Sequence, residues 1–411
     1  MKKERAQAMN VPMLDEMHQQ MLAHLPKGIH WFSPLPPFFT GYEGGLLWDW
    51  DQYFEAIVLL YAGYPSDYIR NGVKIFLDRQ KPDGLIERCI PSGGGQTYYK
   101  HRTHFKPFLI QQLLLCLHVD GGLGWLQTDG RYEKIKKYLD YWLVKMDVRG
   151  KGLSVWTESG HTGMDDHYER AGDWGKASSF CEGVDLNSYL VRESRAMAIV
   201  ARELGYLKDA EYYENASQLR KDAIQRNLWN EEDGIYYDFN VVKKEPIKIK
   251  YVGAFLPLWS RVASLKQAKK LLNSHLLNQQ EFWRNYPIPA LAATEPGYTE
   301  GFPDGHSTGC CPWRAHTWMP SNYMVFEGLR SYGFSETASE LADRTWKMFL
   351  RGRFCEYYTS ENGMGSGRKP FWGWTCLALF LHRELELGCD PTTLTSRNNA
   401  FDLMRKHILS I

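Results

Sequence analysis

Helical periodicity recurs along almost the whole sequence, and the links between the predicted helices alternate between short and long. At residues 54–61, for example, apolar side chains fall at i, i+3, i+4 and i+7, the spacing of one helix face. Short links, which join neighbouring antiparallel helices, are predicted at 63–66, 205–209 and 333–336. The long links cover residues 25–50, 81–106, 148–184 and 351–372. The pattern predicts an all-α fold of about twelve helices arranged in pairs.

Two arrangements of these helix pairs are open. If the pairs close into a ring, every long link emerges at the same end, which makes a double ring of helices with a pocket at one mouth. If they do not close, the chain forms an open helical solenoid, although no fixed sequence repeat supports that arrangement. The long links hold nearly all of the clustered Trp, Gly and charged residues, so chemistry is expected in these loops.

The length of 411 residues would ordinarily suggest more than one domain. A closed ring is an exception, because one layered architecture absorbs a long chain. We therefore predict a single domain over residues 1–411, in which 1–40 and 391–411 are peripheral. Helices are predicted at both of its ends, over 1–24 and 391–411.

Composition narrows the classes of partner and compartment. The net charge of +1 predicts neither nucleic acid nor an anionic membrane as a partner. The eight cysteines show no CxxC pattern, and His104, His161 and His316 lack ligand spacing, so no metal or cofactor is expected. The N-terminal stretch lacks the apolar core of a signal peptide, and no apolar run reaches the ~18 residues of a membrane span. These features predict a reduced, cytoplasmic protein.

The densest group of ionisable residues lies in residues 163–190. Asp165, Asp166 and Glu169 stand among the apolar and aromatic side chains of Met164 and Tyr168, which indicates partial burial. Buried carboxylates have shifted pKa values and often mark acid/base sites. The alternative is a solvated, hydrogen-bonded surface loop.

Three further loop segments combine charge with aromatic residues. The first is WDWDQYF at 48–54, in which Asp51 is the natural N-cap of the following helix; the others are 311–318 and 354–375, and the last contains Glu356. With 15 Trp and 24 Tyr, the chain has either a large core or an aromatic-lined pocket. Aromatic faces stack on a sugar ring, and carboxylates accept hydrogen bonds from its hydroxyl groups. Two acids from separate loops are the apparatus of glycoside hydrolysis.

The order of these motifs resembles the trehalase/processing α-glucosidase clan over residues 42–388. WDWDxYF is followed by GMD and VDLNSYL, then by WRxxxW, and finally by a Glu ahead of a Gly-rich loop and GWT. Within the clan the sequence is most similar to the small bacterial members of glycoside hydrolase family 63, which include mannosylglycerate and glucosylglycerate hydrolases. The resemblance implies an (α/α)6 barrel and hydrolysis with inversion of anomeric configuration.

Carried over by position, the resemblance implies that Asp165 is the general acid and Glu356 the general base. Asp166 follows the acid where the family often has Asn, and Asp185 resembles a structural, pocket-orienting residue. The resemblance implies sugar binding for Trp48, Asp49, Asp51, Asp185, Arg314, Trp372 and Trp374. Arg314 lies in WRAH, which departs from the WRGP element of the family.

Lys106 stands where relatives commonly carry Gln, in contact with the sugar or its aglycone. Together with Arg102, His104 and Arg314, it predicts a cluster of donors for the carboxylate of an anionic substrate. The alternative is that Lys106 caps its own loop or pairs with a local acid. A glycerate glycoside would use such a cluster, whereas a neutral α-disaccharide would not.

The leading hypothesis is an inverting, exo-acting α-glycosidase for a small α-glucoside or α-mannoside. A sugar epimerase or isomerase on a similar helical barrel is an alternative, because such enzymes rely on His bases and Trp156 and His161 are present. A non-catalytic sugar-binding protein is the third possibility. Serine hydrolase chemistry is disfavoured, since no G-x-S-x-G motif occurs.

Overall fold

The structure, a computed structural model, describes residues 11–42, 44–91, 103–173, 176, 178, 180–301 and 311–409. The α-helices in these residues are α1 (Val11–His24), α2 (Asp51–Tyr61), α3 (Asp67–Asp78), α4 (Leu109–Asp120), α5 (Arg131–Asp140), α6 (Ser159–Thr162), α7 (Tyr168–Ala171), α8 (Val184–Glu203), α9 (Leu207–Asn227), α10 (Leu256–Trp259), α11 (Leu265–Leu271), α12 (Met319–Ser331), α13 (Ser335–Gly352), α14 (Leu381–Leu387) and α15 (Ala400–Leu409), of which α6, α7 and α10 are single turns. The predicted short links between α2 and α3, α8 and α9, and α12 and α13 are confirmed.

Short strands lie between the helices. They are β1 (Ile29–His30), β2 (Phe38–Phe39), β3 (Leu47–Trp48), β4 (Cys89–Ile90), β5 (Cys181–Glu182), β6 (Trp229–Asn230), β7 (Ile235–Tyr236), β8 (Asp238–Asn240), β9 (Glu245–Ile247), β10 (His316–Thr317), β11 (Tyr357–Thr359) and β12 (Gly365–Ser366). Each pairing is antiparallel, and two sheets have three strands, in the orders β5-β8-β9 and β10-β11-β12.

Within the described residues, six helical segments contact one another in a closed cycle. α2 contacts α4, α4 contacts α8, α8 contacts α10, and α10 contacts α12. α12 then contacts the 3-10 helix Trp374–Leu379, which packs back against α2. An open solenoid would leave its first and last helices apart, so the closed cycle favours the ring arrangement.

The burial of the helices follows their positions in this cycle. Every residue of α2 is buried, whereas α3, which packs against α2 and α4, buries one apolar face with Ile69, Val73 and Phe76. α9 pairs with α8 along its length, and α13 packs against α12. Each large apolar side chain buried in this way contributes roughly 1.5–3 kcal/mol to the free energy of unfolding.

Two expectations about secondary structure need correction. The all-α prediction missed most of the strands, which form because the long links run beside one another and their backbone groups need hydrogen-bond partners. The C-terminal helix begins at Ala400 rather than near 391. Its late start has a local cause, since Asn398 Oδ1 accepts the N–H of Ala400 at 2.9 Å and Asp390 Oδ1 accepts that of Thr392 at 2.7 Å.

The cysteines that the structure describes are free thiols, and six of these seven are buried. In the described ranges, no group of three or more His, Cys, Asp or Glu side chains is placed to hold a metal ion. None of the described helices combines the length and the apolar character needed to cross a bilayer.

Candidate active site

A cavity of about 150 Å³ lies where the long links meet at one end of the helical cycle. Both predicted catalytic acids, Asp165 and Glu356, line it. The described lining residues are Tyr42, Leu46, Trp48, Trp50, Asp51, Arg88, Gly163, Asp165, Cys311, Trp313, Trp318, Glu356, Arg368 and Trp374. Carboxylic acids that are set among aromatic rings in this way can transfer protons away from bulk water.

Glu356 enters the cavity from the residue before β11. Its carboxylate accepts two hydrogen bonds, from the Tyr42 hydroxyl at 3.0 Å and from the Arg368 backbone N–H at 3.0 Å. Burial raises the pKa of Glu356 above its usual value, and these two hydrogen bonds partly oppose the rise. Gly367 allows the close turn, because a Cβ there would lie 2.5 Å from the carboxylate. Glu356 is therefore held in one orientation by its own loop and by Tyr42 from the first long link.

Asp165 lies in the turn between α6 and α7 and is 9% exposed. Gly163, which ends α6 with φ of +84°, packs directly against the Trp50 ring, where a Cβ would be 2.9 Å from the nearest ring atom. The turn is held by the N–H of Met164, which donates to Thr162 Oγ1 at 2.8 Å, and by the N–H of His167, which donates to the Met164 carbonyl. The turn thus presents Asp165 to the cavity.

Asp166 faces away from the cavity and is fully buried. It accepts the backbone N–H of Trp313 at 2.9 Å and lies 3.2 Å from the Arg314 guanidinium. Burial raises the pKa of Asp166 to about 6, although the Arg314 charge opposes the shift. The two adjacent acids therefore differ in environment: Asp165 lines the cavity, and Asp166 ties the loop to residues 313–314.

Stacked indole rings form one wall of the cavity. Trp313 and Trp318 stack at 4.1 Å between ring centroids with an angle of 5° between their planes. Trp318 also stacks on Tyr357 at 4.5 Å, and Trp50 lies 5.8 Å from Trp313. Rigid aromatic faces of this kind suit the C–H face of a sugar ring.

The WDWD segment divides between the cavity and the interior. Asp51, at the start of α2, lines the cavity and does not act as the N-cap; the N-cap is Trp50. Asp49 is fully buried and accepts two hydrogen bonds from the Lys106 ammonium, at 2.8 and 2.9 Å. Burial, followed by the neighbouring Asp49 charge, raises the pKa of Asp51 to about 7.

Five of the predicted site residues are not among the described residues that line the cavity. Asp49 and Lys106 pair with each other, and the Trp372 indole donates to the Thr40 carbonyl at 3.1 Å. Asp185 accepts hydrogen bonds from Trp156 at 2.8 Å and from Arg170 at 3.1 Å, and Arg314 binds Asp166 and Glu169. Each of these five side chains is occupied by a protein partner.

The predicted carboxylate-binding cluster does not assemble among the described residues. Lys106 is bound to Asp49, and Arg314 to two acids, while Arg102 lies outside the described residues. The His104 imidazole is buried, where it accepts the Ile86 N–H at 3.0 Å and lies 3.0 Å from the Tyr138 carbonyl. The geometry favours the other interpretation of Lys106, pairing with an acid of the protein, although that acid, Asp49, is adjacent in space and not in sequence.

Sequence reasoning missed several residues that line the cavity. Trp50, Trp313 and Trp318 lay in segments already singled out, so their aromatic clustering was an available signal. Arg368 also lay in a segment already singled out, 354–375, whereas Arg88 had no such signal, because it stands in a loop without a local pattern.

An aromatic cavity that contains two carboxylic acids, at the end of a cycle of helices, is typical of glycoside hydrolases. The family model described as the mannosylglycerate hydrolase MGH1-like glycoside hydrolase domain matches residues 45–375. Since this match covers most of the sequence, the chain belongs to that family. The predicted likeness to family 63 and to trehalases is thereby confirmed.

Individual relatives support this assignment. A mannosylglycerate hydrolase from Thermus thermophilus is 31% identical over 206 residues, which cover 49% of this chain and 45% of that protein. A cytosolic neutral trehalase from Kluyveromyces lactis is 26% identical over 385 residues, covering 76% and 48% respectively. The chain spans about half the length of the curated relatives it matches.

Solved structures share the fold at lower identity. A crystal structure of a Thermus thermophilus mannosylglycerate hydrolase of glycoside hydrolase family 63, in complex with glucose, gives a TM-score of 0.69 at 20% identity and covers 89% of this chain and 99% of that chain. A neutral trehalase from Saccharomyces cerevisiae gives 0.60 at 18% identity, with 91% and 82% covered.

Proposed function

We propose that this chain forms a single (α/α)6-barrel domain and is an inverting, exo-acting α-glycosidase. Its substrate is a small α-glucoside or α-mannoside, of the glucosylglycerate or mannosylglycerate type or an α-disaccharide. The observation that carries the proposal is that Asp165 and Glu356, from links far apart in sequence, line one aromatic cavity. The names of the relatives, mannosylglycerate hydrolase and trehalase, support the substrate class.

In the proposed mechanism, Asp165 is the general acid and protonates the glycosidic oxygen. Glu356 is the general base and removes a proton from a water molecule that attacks the opposite face of the sugar. The hydrogen bonds from Tyr42 and from the Arg368 N–H favour the ionised form of Glu356, which a base requires. Inversion needs room for that water, so carboxyl groups ~6.5–9.5 Å apart are expected.

The size and lining of the cavity support removal of a terminal sugar. A cavity of about 150 Å³ suits a single sugar ring, and the indoles of Trp313, Trp318 and Trp374 line its walls. Asp51 and Arg88 add polar groups to the same lining, where they can bind sugar hydroxyls. The rest of a long glycan would have to extend out through the mouth of the cavity, so only its terminal sugar would be bound inside. This favours exo-action.

The stereochemistry of the product tests the mechanism. NMR of the first-formed sugar from an α-linked substrate is expected to show the β-anomer, before mutarotation mixes the two forms. Formation of the α-anomer would contradict inversion and would indicate carboxyl groups only ~5 Å apart.

A panel of α-linked substrates tests the class of reaction. The expected result is the release of free glucose or mannose, either from glucosylglycerate or mannosylglycerate or from an α-disaccharide. An altered sugar without hydrolysis would indicate an isomerase, and binding alone a non-catalytic protein. The contacts of His161 disfavour an isomerase, since this candidate base is buried and bonded to the His104 carbonyl and to Thr157.

The pH dependence reports on Glu356. Because a general base must be ionised, and burial raises the pKa of this carboxyl, kcat/KM is expected to fall as pH drops through that raised value. In Tyr42→Phe a hydrogen bond to the ionised form is lost, so the acid limb should move to higher pH. The control is Tyr64→Phe on a tyrosine outside the cavity lining, and an acid limb that is the same in Tyr42→Phe and wild type would refute the role of Tyr42.

A further inference from the structure

A second cavity, of about 490 Å³, lies at the other end of the helices. On α12, Glu327 and Ser331 line this cavity, whereas Trp318, which precedes α12, lines the candidate active site. At 1.5 Å of rise per residue, these positions are about 14–20 Å apart along the helix. The described residues that line the two cavities do not overlap. The volume falls within the range of ~300–1,000 Å³ that is common for small-molecule sites.

The base of the second cavity holds a buried guanidinium whose hydrogen-bond partners are neutral. Arg192 donates to Gln111 Oε1 at 3.0 Å, to the Trp259 carbonyl at 3.2 Å and to the Thr392 carbonyl at 2.5 Å. Its guanidinium also stacks on the Trp259 ring at 3.9 Å. In the described part of the chain, no carboxylate lies within ion-pair distance of Arg192, but the Asp390 and Glu327 carboxylates farther away offset part of its positive charge.

Three more cations lie on the outer wall. Arg195 forms an ion pair with Glu214, but Lys221 and Arg261 make no ion pair with any residue that the structure describes. Burial, followed by the charges of Arg195 and Arg261, lowers the pKa of Lys221. These positive charges are therefore close enough to repel one another, and an anion between them would relieve the repulsion.

The carboxylates of the lining compensate arginines other than Arg261. Glu214 forms an ion pair with Arg195, and Glu327 accepts a hydrogen bond from Arg330 at 2.6 Å. Asp390 accepts the backbone N–H and the hydroxyl of Thr392, both at 2.7 Å. Asp390 has no ion-pair partner among the described residues, and its charge offsets part of the Arg192 charge. The described lining cations left without an ion pair or a nearby compensating carboxylate of the lining are therefore Lys221 and Arg261.

We propose that this second cavity binds a small multivalent oxyanion, a phosphate-bearing or polycarboxylate metabolite, between Lys221, Arg261 and the Arg192 guanidinium. Ammonium and guanidinium groups give charge-assisted hydrogen bonds to such oxygens, and Arg offers a planar pair of donors. The site is separate from the glycosidase proposal, because its residues lie outside the candidate active site.

Calorimetric titration of the full chain with inorganic phosphate, and separately with citrate, tests the proposal at constant ionic strength. Saturable binding of at least one of the two is expected, and comparing them distinguishes a phosphate from a polycarboxylate ligand. The double variant Lys221→Gln/Arg261→Gln should bind the anion about tenfold or more weakly than wild type, and each single variant should lose less affinity. The variants should keep the wild-type rate of glycoside hydrolysis.

The matched control is Lys208→Gln/Arg226→Gln, which removes the same charge from exposed positions of α9 outside the cavity. This control should bind like wild type. Absence of saturable binding to the wild-type chain would overturn the proposal. Equal weakening in the two double variants would also overturn it, because the effect would then come from net charge.

Discussion

Replacing Asp165 with Asn is expected to lower kcat by about 10²–10⁴-fold. The amide has almost the same shape as the carboxylic acid, but its N–H protons are far too weakly acidic to protonate the departing oxygen. Because Asp165 lines the cavity, the folded state should tolerate the change. The measurement is kcat on the best substrate of the panel, together with Tm.

Asp166→Asn is the matched control, since it makes the same change one residue further on. Asp166 is buried against Arg314 and the Trp313 N–H, so loss of its negative charge should lower Tm. Its effect on kcat should be smaller than that of Asp165→Asn. An inactive Asp166→Asn beside an active Asp165→Asn would reverse the assignment of the acid.

Replacing Arg170 with Met is expected to lower the free energy of unfolding by about 3–5 kcal/mol. The Arg170 guanidinium binds Asp238 at 2.7 Å and Asp185 at 3.1 Å, and all three side chains are essentially inaccessible to solvent. It also lies 3.5 Å from the centre of the Tyr251 ring. Met fills much of the volume but leaves two carboxylates without their cation. The loss of stability comes from keeping these two charges buried and unpaired.

Urea unfolding measures this effect. The control is Arg202→Met, because Arg202 is an exposed arginine near the end of α8, and its replacement should change the free energy by less than ~0.5 kcal/mol. An Arg170→Met protein as stable as wild type would show that Asp185 and Asp238 do not depend on this ion pair. Asp185 would then have to be reconsidered as a residue that acts in the cavity.

The division of the WDWD segment shows where sequence reasoning reached its limit. The motif indicated a site at this helix entrance, and Trp48 and Asp51 do line the cavity. The sequence did not reveal that Asp49 faces the interior, because its partner Lys106 is 57 residues away. Arg88, just before β4, reaches the cavity in the same way, through a pairing of β3 and β4 that no local pattern predicts.

The sequence by itself determined the helix pairs, their short links and the loops that carry the acids. Helical periodicity and turn residues act over a few positions, so a local pattern is sufficient to predict them. Only the tertiary structure decided which side chains of each loop face the cavity and which form buried ion pairs. These choices depend on partners from distant links, and on the desolvation that makes a buried charge such as Asp166 or Asp185 require an arginine.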